Sequence, residues 1–343
     1  MKRILSFPRP ARVLSAAAVG GREERRGTHG DEFDFCSRDD LFGMKTWETA
    51  EGEMGRAALS FALKKAGLRT EDLSLLFAGD LQNQCVATSE GLCSVGAPFV
   101  GIFGACSTMA EGLALASLAV SSSPDIPIAA VLTSSHNCAA ERQFRTPLEY
   151  GAQRTPTAQW TATAAGSVLL SGEEHPQKTG WKAGEKCPKI SDVLFGRMVN
   201  AGVTDAANMG AAMAPAAADT LLAYFRESGL SPADFDLILT GDLGKEGSAL
   251  LTLLLAKEGI SLQEKHADCG MLLYDFEKQD VHCGGSGCGC IASLLSCHFL
   301  PRMARAEICN MLAVGTGALM SPSLLQQGGS ITGVAHLIHL EAE

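Results

Sequence analysis

"GLRTEDLSLLFAGDL" (67–81) and "GLSPADFDLILTGDL" (229–243) are one phrase written twice, 162 residues apart. Seven of the fifteen positions are identical and three more pair one large apolar residue with another, where unrelated segments would share about one. Each copy ends a helix (49–65 and 216–228) at a glycine suited to a left-handed cap, runs through a buried strand (73–78 and 235–240) and delivers Gly-Asp-Leu. Later in each half a glycine- and cysteine-rich turn opens an apolar helix: "FGACSTMAEGLALASLAV" (103–120) and "HCGGSGCGCIASLLSCHFL" (282–300). The recurring order predicts an α/β fold of two duplicated, pseudo-symmetric βαβ halves, 1–175 and 176–343, in one compact domain. Stacked mixed sheets with hydrophobic helices buried between them are the expected architecture. The polar stretch "EEHPQKTGWKAGEKCPK" (173–189) is the natural join.

Composition narrows the function classes. The 343 residues are 46% hydrophobic, 19% charged and 6% aromatic, with 37 glycines, which suits a closely packed globular chain. A formal net charge of −10 argues against general nucleic-acid binding, which needs a basic face. "MKRILSFPRPARVLSAAAVGG" makes a poor signal peptide, because its short apolar run follows two prolines and two arginines. The twelve cysteines are therefore read as reduced and intracellular. The best apolar run, Leu113–Val120, falls well short of the roughly 20 residues that cross a bilayer, so any membrane association is expected to be peripheral.

Duplicated halves with a cysteine at the start of a buried helix resemble the thiolase superfamily. The set "GACSTMAEGL", "TSSHNCAAERQFRTPLEYGAQRTPTAQWTATAAGSVLLS", "NMGAAMAPAAADT", "GDLGKEG", "HCGGSGCGC" and "VGTGALMSP" is similar, over nearly the whole chain, to the thiolase-like family of stage V sporulation proteins AD. That resemblance implies a non-catalytic protein of spore formers that binds dipicolinic acid, pyridine-2,6-dicarboxylate, alone or with calcium, and assists its uptake into the developing spore. It further implies a homodimer paired through an edge strand of the first half, working beside other sporulation membrane proteins at the spore inner membrane. No cofactor is implied.

Cys106 stands where condensing enzymes of the superfamily carry their nucleophile. A helix N-terminus there favours a thiolate and a bound carboxylate alike. The resemblance carries His282, in "HCGGSG", to the later of two histidine motifs, whereas the earlier one falls at "TGDLGKEG", which offers Asp242 and no histidine. An aspartate adds negative charge where an oxyanion must be stabilised, which counts against condensation. Condensing chemistry with Cys106 and His282 stays open as an alternative, as does a structural subunit of a membrane complex.

The segment 133–160 reads as a loop without periodicity, expected to fold over the pocket. Its His136, Arg142, Arg145 and Arg154 are the candidate ligand groups, since guanidinium forks match carboxylate oxygens. With Cys106, Ser107, His282 and Gly284 they make up the expected binding set. The cluster His282, Cys283, Cys288 and Cys290 is read as close packing and not as a metal site, which usually takes two separated ligand pairs. Asp80 and Asp242 are read as turn residues bonding their own backbone. The glycines of "GTG" (315–317) and "QQGGS" (326–330) are also read as turns.

Overall fold

The computed structural model of the protein describes residues 2–144, 154–173, 176 and 178–342. In the first half the main strands are β1 (Ile4–Gly20), β2 (Leu75–Gly79), β3 (Phe99–Gly101), β4 (Ile128–Ser135) and β5 (Ala164–Ser171). In the second they are β6 (Lys189–Leu194), β7 (Leu237–Thr240), β8 (His266–Asp268), β9 (Asn310–Leu319) and β10 (Thr332–Glu341). Among the described residues these strands form one hydrogen-bonded path, β8-β7-β9-β10-β6-β1-β5-β4-β2-β3. Read outward from the middle, both halves follow the same order, with the central strand of each parallel trio, β2 or β7, lying in the duplicated phrase. The sheet is mixed in both: β2 runs parallel to β3 and β4, and β7 parallel to β8 and β9, while β4–β5 and β9–β10 are antiparallel.

The halves join along β1, which is long enough to serve two partners. Its residues 12–20 pair with β5 and its residues 4–12 with β6. The register with β6 slips between Ser6 and Ala11, across the prolines Pro8 and Pro10, which have no N–H to give to a ladder.

The helices are α1 (Trp47–Ala66), α2 (Val86–Leu92), α3 (Thr108–Ser122), α4 (Asn137–Phe144), α5 (Met209–Ser228), α6 (Gly244–Lys257) and α7 (Cys288–Leu294). Shorter helical turns connect them. Helix α1 is capped by Thr46, whose side chain accepts from the Thr49 N–H, and ends at Gly67 with φ 63°. Its counterpart α5 begins at the Asn208 cap, one and a half to two turns before the expected position, so that Pro215 sits inside the helix and not at its start. It ends at Gly229, φ 75°, as the repeat requires. Helix α1 packs on β1, β4 and β5, α5 packs on β9 and β10, and α3 touches strands of both halves. The two half-sheets are thus stacked about buried helices, with α1 and α5 outside.

Two expectations are corrected. The segment after β4 is helical, not a loop, over Asn137–Phe144, because Ala140 and Phe144, four apart, share an apolar cluster with Leu81, Cys106 and Cys288. The "GTG" glycines lie within β9, not in a turn. A Cβ at Gly317 would come within 2.4 Å of the Gly104 carbonyl oxygen and one at Gly315 within 2.7 Å of Ala110. Glycine there lets the strand approach the turn that opens α3. No helix among the described residues is long and apolar enough to cross a membrane.

A buried carboxyl pair ties α1 to β2. Glu51 accepts from Gln82 Nε2 at 2.6 Å and Ser134 Oγ at 3.0 Å. Burial first, and then the charge of Asp80, pushes its pKa up from 4.5 to about 8. The native state therefore holds a proton that the unfolded chain gives up above pH 4.5, and the stability associated with that proton is lost as pH rises through about 8. Glu51→Gln, which keeps the shape and removes the charge, is expected to gain on the order of 2 kcal/mol over the parent above that window. The gain should fade below the unfolded-state value. Urea titrations of both proteins across the window check this, and a gain that does not vary with pH contradicts it.

Candidate functional site

Helix α3 is apolar nearly all round because sheets cover it on both sides. Its first residues are positioned by a tight turn in which Ala105 holds φ 51°, a left-handed value that a non-glycine residue adopts only when its surroundings enforce it. Ser107 Oγ donates to the Gly104 carbonyl oxygen at 2.6 Å and Thr108 Oγ1 to that of Ala105 at 2.5 Å, while the Gly104 N–H donates to Thr108 Oγ1. The turn is locked from within. Cys106 projects from it into a cavity of about 320 Å³, room for one small aromatic acid.

Ser286 Oγ lies 3.9 Å from Cys106 Sγ. Behind it is Asp242, fully buried, which accepts from Ser286 Oγ at 3.0 Å, the Gly287 N–H at 2.8 Å and Thr316 Oγ1 at 2.8 Å. Burial, with Asp242 next, raises the Cys106 thiol well above its ordinary pKa, and burial raises Asp242 as well. Both effects favour the protonated thiol over the thiolate. The matching aspartate of the first half behaves differently. Asp80 accepts from the Gln82 N–H of its own turn and from Thr88, so the turn reading holds for Asp80, whereas Asp242 reaches across to two other segments, at 286–287 and 316.

The cavity wall is apolar along Leu81, Phe103, Phe144, Met209 and Met320, with Arg154, Gln159, Glu141 and Asp205 as its charged or amide groups. Arg154 is 8% exposed. One guanidinium nitrogen donates to the Asp280 carbonyl and carboxylate oxygens at 2.5 and 2.8 Å, and the group lies over the Trp160 ring. Its Nη1 is buried and has no hydrogen-bond partner among the described residues, and neither has Gln159 Oε1. A free donor and a free acceptor thus belong to two wall residues. Gln159 is fixed by its Nε2, which donates to the carbonyl oxygens of Asp242 and Gly285, both at 2.7 Å.

Of the residues singled out in the sequence, Cys106 and Arg154 line the cavity. Arg142 does not: it pairs with Glu48 and lies over Trp47 on the outer side of α4. Arg145 lies outside the described residues. His136 is buried with its Nε2 donating to the Asp40 carbonyl at 2.6 Å, and Ser107 is consumed by its own turn. His282, at φ 50°, sits between the Thr155 carbonyl at 2.7 Å and Asp280 at 2.9 Å, so it reaches the site through the backbone of Thr155, which lines the cavity, and through the carboxylate it shares with Arg154. The side chain that faces Cys106 comes four residues later, at Ser286. Gly284 has φ 119° and no room for a Cβ, which would lie 2.6 Å from the Gly270 carbonyl; it is a packing residue. Ser286 and Gln159 carry no signal of their own in the sequence, being a serine and an amide among many.

Comparison with known proteins agrees with this architecture. The chain is 38% identical over 340 residues to stage V sporulation protein AD of Bacillus subtilis (strain 168), covering 99% of this chain and 97% of that protein. Among solved structures it is similar to a substituted form of Xanthomonas campestris OleA, with a TM-score of 0.60 at 13% identity over 98% of this chain and 99% of that one. A cerulenin-bound OleA matches with a TM-score of 0.60 at 15% identity over 97% and 98%. These likenesses show a thiolase-like fold. With residues 1–341 matching the family described as stage V sporulation protein AD (SpoVAD), the chain belongs to that family of sporulation proteins.

Proposed function

We propose that the protein is a non-catalytic carrier that binds dipicolinate in the cavity at Cys106 and serves its loading into the developing spore, working beside sporulation membrane proteins at the spore inner membrane. The observation that carries the reading is the pairing of a buried Cys106, backed by Ser286 and Asp242, with a cavity arginine whose Nη1 has no partner among the described residues. Acyl transfer needs a thiolate and donors aimed at an oxyanion. Here Asp242 can only accept, or give up its single proton, and the Ser286 hydroxyl is committed to it. Binding needs a buried cation to offset the desolvation of a carboxylate, and apolar walls for a ring. Arg154 and the Phe103, Phe144 and Met320 side chains supply both.

The charge balance of the wall favours the calcium chelate over the bare dianion. Among the described residues Asp205 adds a carboxylate to the wall that holds Arg154, and a carboxylate facing a free dianion repels it. A chelated calcium, which takes oxygen ligands, turns that repulsion into attraction.

The family fold also supplies an edge for a second copy. Strand β3 ends the sheet path and presents Phe99 and Val100, 46% and 38% exposed, with Phe103 just beyond at 49%. An unpaired apolar edge of this kind is a liability unless it is covered, and a homodimer through β3 covers it.

Three outcomes follow. In calorimetric titrations with dipicolinate, Arg154→Ala should cost roughly 2–5 kcal/mol, while Arg142→Ala, on an exposed ion pair, should cost under about 1 kcal/mol; calcium should tighten binding to the parent. Equal affinity of parent and Arg154→Ala removes the ligand from this cavity. Mass spectrometry after incubation with acetyl and longer acyl thioesters should find Cys106 unmodified, since missing oxyanion donors slow acylation by on the order of 10² to 10³. A stoichiometric adduct makes the protein an acyl-transfer enzyme. Light scattering should find a dimer that Phe99→Lys with Val100→Lys converts to a folded monomer; a monomeric parent leaves β3 to another partner.

A further inference from the structure

Away from the cavity, the single helical turn Gly30–Glu32 places His29 and Glu32 three residues apart on one side. The run of helix that begins with α7 opens into a π-helical turn over Leu295–Phe299. Such a turn is uncommon inside a helix and recurs where a side chain is re-aimed for use. Here it carries His298. His29 Nδ1 and His298 Nδ1 each lie 2.8 Å from a different oxygen of the Glu32 carboxylate. The two rings lie 4.1 Å apart between centroids, their planes tilted by 46°. The histidine side chains are only 14% and 16% exposed, and one ligand atom from each of the three residues falls within 4.8 Å of the others.

We propose that His29, Glu32 and His298 form a binding site for a borderline divalent transition cation of the zinc class, which fastens the N-terminal segment of the first half to the helix of the second. Two imidazoles and a carboxylate are a donor set that favours zinc, cobalt or nickel over calcium and magnesium, which take oxygen. Three protein ligands leave a fourth position for water. Arg302 competes for the second ring nitrogen, with Nη1 3.4 Å from His298 Nε2. A cation on Nδ1 requires the ring proton to move to Nε2, which displaces Arg302. Glu307 stands ready for it, already accepting from Arg302 Nε at 3.2 Å. None of the three ligands lines the Cys106 cavity, so the site stands apart from the dipicolinate reading.

Titrating Co²⁺ into the full chain tests the site. Saturable binding of one equivalent is expected, with a visible d–d spectrum free of the thiolate charge-transfer band that cysteine ligands produce. His298→Ala and Glu32→Gln should each weaken it at least about tenfold. A measurement that needs no variant is carbethoxylation of the parent by diethyl pyrocarbonate, mapped by mass spectrometry, in which Zn²⁺ should protect His29 and His298. Absence of saturable binding, a thiolate band, unchanged affinity in the folded variants, or unprotected His29 and His298 would each overturn the assignment.

Discussion

Everything at the site depends on burying α3 between two sheets at close range. A helix covered on both sides must be apolar and small around its circumference, and "TMAEGLALASLA" is. Close approach also demands glycine on the facing elements: Gly112 on the helix itself, where a Cβ would lie 2.6 Å from Val131, and Gly317 on β9, where it would lie 2.4 Å from Gly104. These contacts hold the Gly104–Ser107 turn so tightly that Ala105 accepts a left-handed φ. The position of Cys106 is therefore a result of packing, and it would exist whether or not the sulfur performed chemistry.

What that packing leaves open is the electrostatic surrounding, and here the two halves have parted. Both copies of the repeat end a strand with Gly-Asp-Leu, and both aspartates are buried. Asp80 is satisfied by its own turn and Thr88, beneath the carboxyl of Glu51. Asp242 is satisfied by the adjacent Ser286 and Gly287 and by Thr316 of β9, two distant parts of the second half. One half uses its aspartate to hold a loop; the other uses it to set the protonation of the cavity. A duplicated fold permits this because topology needs the turn, not the side chain's partners.

The same distinction separates what the sequence reveals from what it hides. Periodicity and glycine caps mark α1, α5 and their strands, because those signals come from local conformational preference and burial. The start of α5 is obscured by Pro215, whose presence in a helix is tolerated only because tertiary packing outweighs its local preference. Helix α4 is hidden by its polar composition, and only the Ala140–Phe144 spacing betrays it. Cys106 is legible from its turn, whereas Arg142 and Arg154 look alike in sequence. Which of them faces the cavity is decided by partners at 48 and 280, far away along the chain. Ser286 escapes notice beside His282 for a similar reason. A motif fixes the neighbourhood of a site to within a few residues, and backbone conformation, here the left-handed His282 and Gly284, decides which of them turns inward.

The protonation of Cys106 and the unsatisfied donor of Arg154 are linked by what each excludes. A thiolate facing the cavity would add negative charge beside Asp205 and would repel any carboxylate ligand. Asp242 prevents this by making ionisation of the sulfur still costlier than burial alone makes it. The cavity then presents a neutral floor, and Arg154, lying over Trp160 with its Nη2 on Asp280, keeps a buried Nη1 without a partner among the described residues. Removing Asp242 would strip Ser286, Gly287 and Thr316 of their common acceptor, and in a low-dielectric interior unsatisfied donors are themselves destabilising. The carboxyl group that pushes the thiol's pKa up is thus also part of the packing that holds the site together.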